Sequence, residues 1–78
     1  MDTFVKLQEL IATNLSILPT SINPESRSVD FAEWDSVHHL ILVMEIEETF
    51  GLKFPLEEIA NLDSVAKIMD ALGKRSLV

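Results

Sequence analysis

Cysteine is absent from the 78 residues, which excludes disulfides, thiolate metal sites and a cysteine nucleophile. Cations are scarce as well: 6 Lys and Arg stand against 13 Asp and Glu, a formal net charge of −7. Nucleic-acid binders need clustered Lys and Arg to displace counterions from phosphates, so this balance argues against DNA or RNA and for a basic protein surface as partner. No apolar run approaches the length of a membrane span, and Met1-Asp2-Thr3 lacks the basic segment and apolar core of a secretory signal. The expectation is a cytoplasmic protein. Glycine appears only twice and proline three times, so each marks a boundary rather than a flexible tract.

Apolar residues are abundant, at 47%, too many for a disordered tail. The length fits one small domain spanning 1–78, whose core leaves a margin of only about 3–5 kcal/mol over chain entropy.

Phe4, Leu7, Ile11, Leu15 and Leu18 recur at steps of three and four, the period of an amphipathic helix, with Thr3 or Asp2 as its N-cap. Pro19 restricts the residue before it, so this helix is expected to end near Ile17. Residues 18–34 read as a long loop rich in Ser, Pro and Asn, pinned to the helices by Ile22, Val29, Phe31 and Trp34. From Ser36 to Phe50 a helix shows two apolar sides. Leu42, Val43, Ile46 and Phe50 form a core face, whereas Val37, Leu40, Ile41 and Met44 form a second one, flanked by Glu47 and Glu48 and therefore wetter. Gly51 is the expected C-cap. Pro55 opens a short helix through Glu57, Glu58 and Ile59. A last helix, capped by Asp63 or Ser64, turns Val65, Ile68, Met69 and Leu72 inward and ends at Gly73, Lys74 and Arg75. The fold expected is all-α, a small four-helix bundle of three main helices and one short one with a long first loop.

The candidate functional residue is Ser36, where the loop meets the two-faced helix. With Asp35 as N-cap, Ser36 is the first helical residue, its hydroxyl outward beside the positive end of the helix dipole. That end stabilises an attached phosphodiester by roughly 0.3–1 kcal/mol.

The run Asp35-Ser36-Val37, followed by Leu40, Leu42-Val43-Met44, Ile46-Glu47-Glu48 and Phe50-Gly51, resembles the acyl carrier protein family, whose signature is Asp-Ser-Leu opening the second helix. The likeness covers nearly the whole chain. It implies a non-catalytic carrier bearing a covalent 4′-phosphopantetheine arm, moved from coenzyme A onto Ser36 by a phosphopantetheinyl transferase, with Asp35 and Val37 flanking the attachment point. It implies loading and processing enzymes with basic or apolar docking patches as further partners, and a monomer. Leu40, Ile41, Met44, Glu45, Glu47 and Glu48 are the expected docking residues. Val37 stands where the family usually has Leu, and His38 and Ile41 replace the acidic residues of many fatty-acid carriers. Recognition near Ser36 is therefore expected to be more apolar, which favours a specialised route (polyketide, lipopeptide, aminoacyl or surface glycolipid) over housekeeping fatty-acid synthesis.

Other readings compete. An isolated Asp-Ser at a helix start is ordinary capping, and Asp63-Ser64-Val65 repeats the tripeptide where a structural role is expected. His38 and His39 are adjacent, about 100° apart on a helix, and do not make a metal pair. Half-buried or surface imidazoles are expected instead. No glycine-rich elbow surrounds Ser36, as a serine hydrolase would require. An unmodified interaction module burying Val37, Ile41 and Met44 in a partner explains the helices and the charge equally well.

Overall fold

The computed structural model describes residues 3–75. Its helices are α1 (Thr3–Leu15), α2 (Ser36–Phe50), α3 (Leu56–Ile59) and α4 (Val65–Arg75), the three long and one short helices expected. Among the described residues β structure is limited to one isolated antiparallel bridge, Arg27 to Ser64.

The core forms where the apolar stripes of the three long helices meet. Leu7, Ile11 and Leu15 from α1, Leu42, Val43 and Ile46 from α2, and Val65, Ile68 and Leu72 from α4 are all buried. Each contributes about 1.5–3 kcal/mol by leaving water. Ile22, Trp34, Phe54 and Leu62 close the core from the connecting segments. Phe4, Phe50 and Met69, expected on inward faces, pack at its edge and are only partly buried.

α1 ends at Leu15, two residues earlier than proline chemistry suggests. Ser16 turns into the left-handed region at φ 58°, its N–H reaches the Thr13 carbonyl at 3.3 Å, and Ile17 N–H reaches the Ala12 carbonyl at 3.0 Å. These two bonds make a Schellman cap with serine where glycine is usual. Pro19 opens a 3-10 turn, Pro19–Ser21, and Leu18 is left exposed instead of continuing the helical stripe. Thr3 is already helical, and the alternative cap Asp2 lies outside the described residues.

The loop is pinned, though by a different set of residues. Ile22 and Trp34 are buried and Phe31 packs at the core edge, but Val29 is 78% exposed on the 3-10 turn Ser28–Asp30 and holds nothing. Polar side chains do the rest. Gln8 Nε2 donates to the carbonyls of Pro19 (2.8 Å) and Ile22 (2.9 Å), and the buried Ser26 hydroxyl accepts the Asn23 N–H at 2.9 Å. Ser28 N–H donates to the Asp63 carbonyl and Val65 N–H to the Ser26 carbonyl, tying the loop to the start of α4.

At the far end of α2, Gly51 adopts φ 67° and Leu52 N–H reaches the Glu47 carbonyl at 3.1 Å, the expected glycine cap. Pro55 is the N-cap of α3 rather than its first residue. Gly73 is not a cap: α4 continues through it to Arg75. The two terminal cations find side-chain partners, Lys74 with Asp70 at 3.2 Å and Arg75 with Glu58 at 2.7 Å, the Arg75 guanidinium also lying 5.0 Å from the Phe54 ring.

Candidate attachment site

The two Asp-Ser-Val tripeptides differ by one residue in helical register, and that shift decides what each serine can do. At the start of α4 the cap is Ser64 itself: its hydroxyl accepts the Lys67 N–H at 3.1 Å, and the residue is buried against the loop bridge. At the start of α2 the cap is Asp35, whose Oδ1 accepts the His38 N–H at 2.9 Å from an extended backbone (φ −94°, ψ −175°). Ser36 then falls on the first helical position, and it is exposed. Ser64 is occupied with structure; Ser36 is available for chemistry.

Asp35 Oδ1 also faces His38 Nδ1 at 2.9 Å. The His38 amide, then the His38 ring, hold the Asp35 carboxyl below its ordinary value of 3.8. Asn14 of α1 donates to the His38 carbonyl at 2.8 Å, which fixes the first turn of α2 against α1.

Beside Ser36 an open groove of about 460 Å³ runs between the start of α2 and α3, lined mainly by Trp34, His39, Leu40, Leu56, Ile59 and Ala60, with Ser28, Asp35 and Asp63 supplying polar edges. A second groove, about 480 Å³, lies along the outer side of α2 and is lined by Ile41, Met44, Glu45, Glu47, Glu48, Leu52 and Lys53. The second apolar face of α2 is thus real, with Val37, Leu40, Ile41 and Met44 all exposed, but it is divided. Leu40 belongs to the groove beside Ser36, and Val37 lines neither. Glu47 is partly committed elsewhere: its Oε2 accepts the Phe54 N–H at 2.9 Å.

Comparison with known proteins shows the family. Residues 5–72 match the family model described as a phosphopantetheine attachment site. The chain is 32% identical over 69 residues to the acyl carrier protein of Helicobacter hepaticus, covering 88% of this chain and 91% of that one. It is 36% identical over 70 residues to the acyl carrier protein of Syntrophobacter fumaroxidans, with 90% and 86% covered. An acyl carrier protein of Brucella melitensis named AcpXL is 39% identical over 57 residues, covering 73% and 61%.

The chain is an acyl carrier protein by family.

The prosthetic group of such a carrier is 4′-phosphopantetheine, covalently attached, and the carrier itself is not a catalyst: modifying and acyl-processing enzymes act on what it holds. The residues present fit that group. An exposed serine hydroxyl stands on the first turn of a fifteen-residue helix, where the dipole favours a phosphodiester, and an apolar groove opens beside it. No helix among the described residues of the carrier is long and apolar enough to cross a membrane.

Sequence patterning missed His39. Its ring accepts from the Trp34 indole at 2.9 Å on Nδ1 and meets the Ile59 carbonyl at 2.8 Å on Nε2, so it joins the loop end to α3 across the groove. A surface or half-buried imidazole was the expectation; its partners, five and twenty residues away, were not legible. Gln8, Asn14 and Ser26 were missed for the same reason.

Proposed function

We propose that Ser36 bears the 4′-phosphopantetheine arm and that this carrier serves a specialised lipid, polyketide or related route. The observation that carries the first part is the register contrast: Ser36 sits at the first helical position with Asp35 doing the capping, whereas Ser64, in the same tripeptide, caps its own helix. When attached, the arm supplies a terminal thiol on which cargo is carried as a thioester. The chain's own residues orient its root. Asp35 fixes the first turn of α2, and Trp34, Leu40, Leu56 and Ile59 offer the adjoining groove as apolar shelter.

The docking reading rests on the outer groove of α2. Ile41 and Met44 are exposed there, bordered by Glu45, Glu47 and Glu48. Acidic groups steer encounter with basic patches on a phosphopantetheinyl transferase and on loading and processing enzymes, while the apolar pair fixes register and leaves release fast. Leu40 meets partners at the mouth of the groove beside Ser36. His38 and Ile41, rather than acids, near the attachment point support a specialised pathway over housekeeping fatty-acid synthesis. A cytoplasmic, monomeric carrier in which residues 1–78 form one domain completes the reading.

The test is intact mass after incubation with coenzyme A and a broad-specificity phosphopantetheinyl transferase. Wild type and Ser64→Ala gain the mass of the arm and Ser36→Ala does not. Addition to Ser36→Ala would move the attachment point elsewhere. For the docking face, Ile41→Glu is expected to weaken the native loading enzyme and improve exchange with a fatty-acid synthase; unchanged binding to both would remove the argument for specialisation.

A further inference from the structure

Trp34 has a single polar side-chain atom, the indole N–H, which can only donate. It lies 2.9 Å from His39 Nδ1, so Nδ1 is the acceptor. A neutral ring that accepts on Nδ1 carries its proton on Nε2, and Nε2 stands 2.8 Å from the Ile59 carbonyl oxygen, which can only accept. The two partners select one tautomer between them. His39 is thereby a strut with a distinct partner at each end: the residue preceding the Asp35-Ser36 pair on one side, the last turn of α3 on the other. All three residues line the groove beside Ser36.

The two ends respond oppositely to a proton. Protonated imidazole donates from both nitrogens. At Nε2 the bond to Ile59 persists and becomes charge-assisted. At Nδ1 a new N–H would point at the indole N–H, donor against donor, and that bond is lost. We propose that His39 is a positioning residue for the attachment site, releasing Trp34 when protonated while keeping α3 tethered, so that mild acid loosens the loop wall of the groove beside Ser36. The consequence for an attached arm rests on the carrier reading; the release itself does not.

The charged groups around the strut do not substitute for Trp34. Asp35, at the loop end, faces the His38 ring, and its carboxyl is held below the range in which histidines titrate. Asp63, preceding α4 on the opposite edge of the groove, faces Lys67 Nζ at 3.1 Å. On α3, Glu58 pairs with Arg75 and Glu57 is exposed, as is Glu33 before Trp34. His38, on the same helix as His39, carries the other imidazole of the chain and is the control.

Trp34 is the one tryptophan of the chain, so its indole N–H gives one resolvable proton resonance. The experiment follows the hydrogen-exchange rate of that proton, relative to free tryptophan, between about pH 8 and about pH 5, the range of a histidine ring. The full chain without the arm is used, and both imidazoles are followed by nitrogen-15 shifts. Protection is expected at the upper end and to fall about fivefold or more in step with the His39 ring, the factor one ordinary hydrogen bond supplies. The amides of Asn61 and Leu62, which follow α3 and donate to the Glu58 and Ile59 carbonyls, should stay within about twofold. His38→Gln should leave the profile unchanged, and His39→Phe should remove the protection at every pH. Constant indole protection while His39 titrates, or opening of the Asn61 and Leu62 amides together with the indole, overturns the proposal; the wild-type titration decides this even if His39→Phe does not fold. In the arm-bearing protein the phosphorus-31 signal should shift with the same midpoint, and a signal insensitive to the His39 titration would deny the effect on the attachment site. A chain that never accepts the arm would refute the carrier reading alone and leave the indole measurement standing.

Discussion

Asp35 holds His38 twice through one oxygen: Oδ1 lies 2.9 Å from the backbone nitrogen and 2.9 Å from ring Nδ1. Both interactions favour the carboxylate, the amide most, and its folded-state pKa lies below the ordinary 3.8. A carboxyl whose folded value is depressed contributes stability that is complete above the unfolded value and is lost as pH falls through the folded one. Asparagine caps helices about as well as aspartate but carries no charge. Asp35→Asn should therefore melt below wild type at neutral pH, with the gap closing as the pH drops under 3.8. Thermal melts across an acid series check this; a gap independent of pH would show that the charge contributes nothing.

Ser16 and Gly51 end their helices in the same left-handed conformation, at φ 58° and 67°, but only one is glycine. Ser16→Gly should raise stability by roughly 0.5–1 kcal/mol, because serine bears a Cβ penalty there that glycine avoids. Gly51→Ala should cost about 1 kcal/mol or more through the backbone alone, since an added Cβ at that position meets nothing within 4 Å. Urea denaturation of the two variants is the measurement, and equal signs would contradict the cap geometry.

Leu42 and Met44 sit two residues apart on α2, one fully buried and one 63% exposed. Leu42→Ala should cost about 2–5 kcal/mol, enough to unfold much of the population of so small a domain. Met44→Ala should stay within about 0.5 kcal/mol. Its effect should appear instead in the affinity for a partner enzyme, measured by surface-immobilised binding.

A net charge of −7 on 78 residues sets the folded state against its own field. Raising ionic strength from about 0.01 M to about 0.15 M shrinks the screening length from about 30 to about 8 Å. The melting temperature should rise over that interval, and more steeply with a divalent cation. A flat response would mean that the surface charges are already balanced locally.

The helices were legible because their cores are periodic: Leu7, Ile11 and Leu15, or Leu42, Val43 and Ile46, announce a buried stripe by spacing alone. Ser36 stood out as the candidate because the surrounding residues, from Asp35 to Gly51, resemble a family pattern. What patterning could not supply was register within a turn. Serine, aspartate and glycine satisfy caps interchangeably, so nothing local told Ser64 from Asp63 as the cap of α4, marked Ser16 as a left-handed residue, or showed that α4 runs through Gly73. Val29 looked like an anchor by composition and is exposed, because the tight turn around it is closed by backbone bonds and Asp30 rather than by burial. Likewise the Glu47 side chain reads as surface acid until the chain returns as Phe54 and claims one of its oxygens.

The bridge between Arg27 and Ser64 divides the first loop into two lengths of unequal tolerance. Ahead of it, between Ser16 and Ser26, extra residues could bulge into solvent with the anchor still in place. Behind it, from Ser28 to Trp34, the chain is a fixed-length spacer between the start of α4 and the root of α2. An insertion there would have to displace Trp34, which closes the core and walls the groove beside Ser36, so carriers on this plan should vary in length before the bridge and keep a constant count after it.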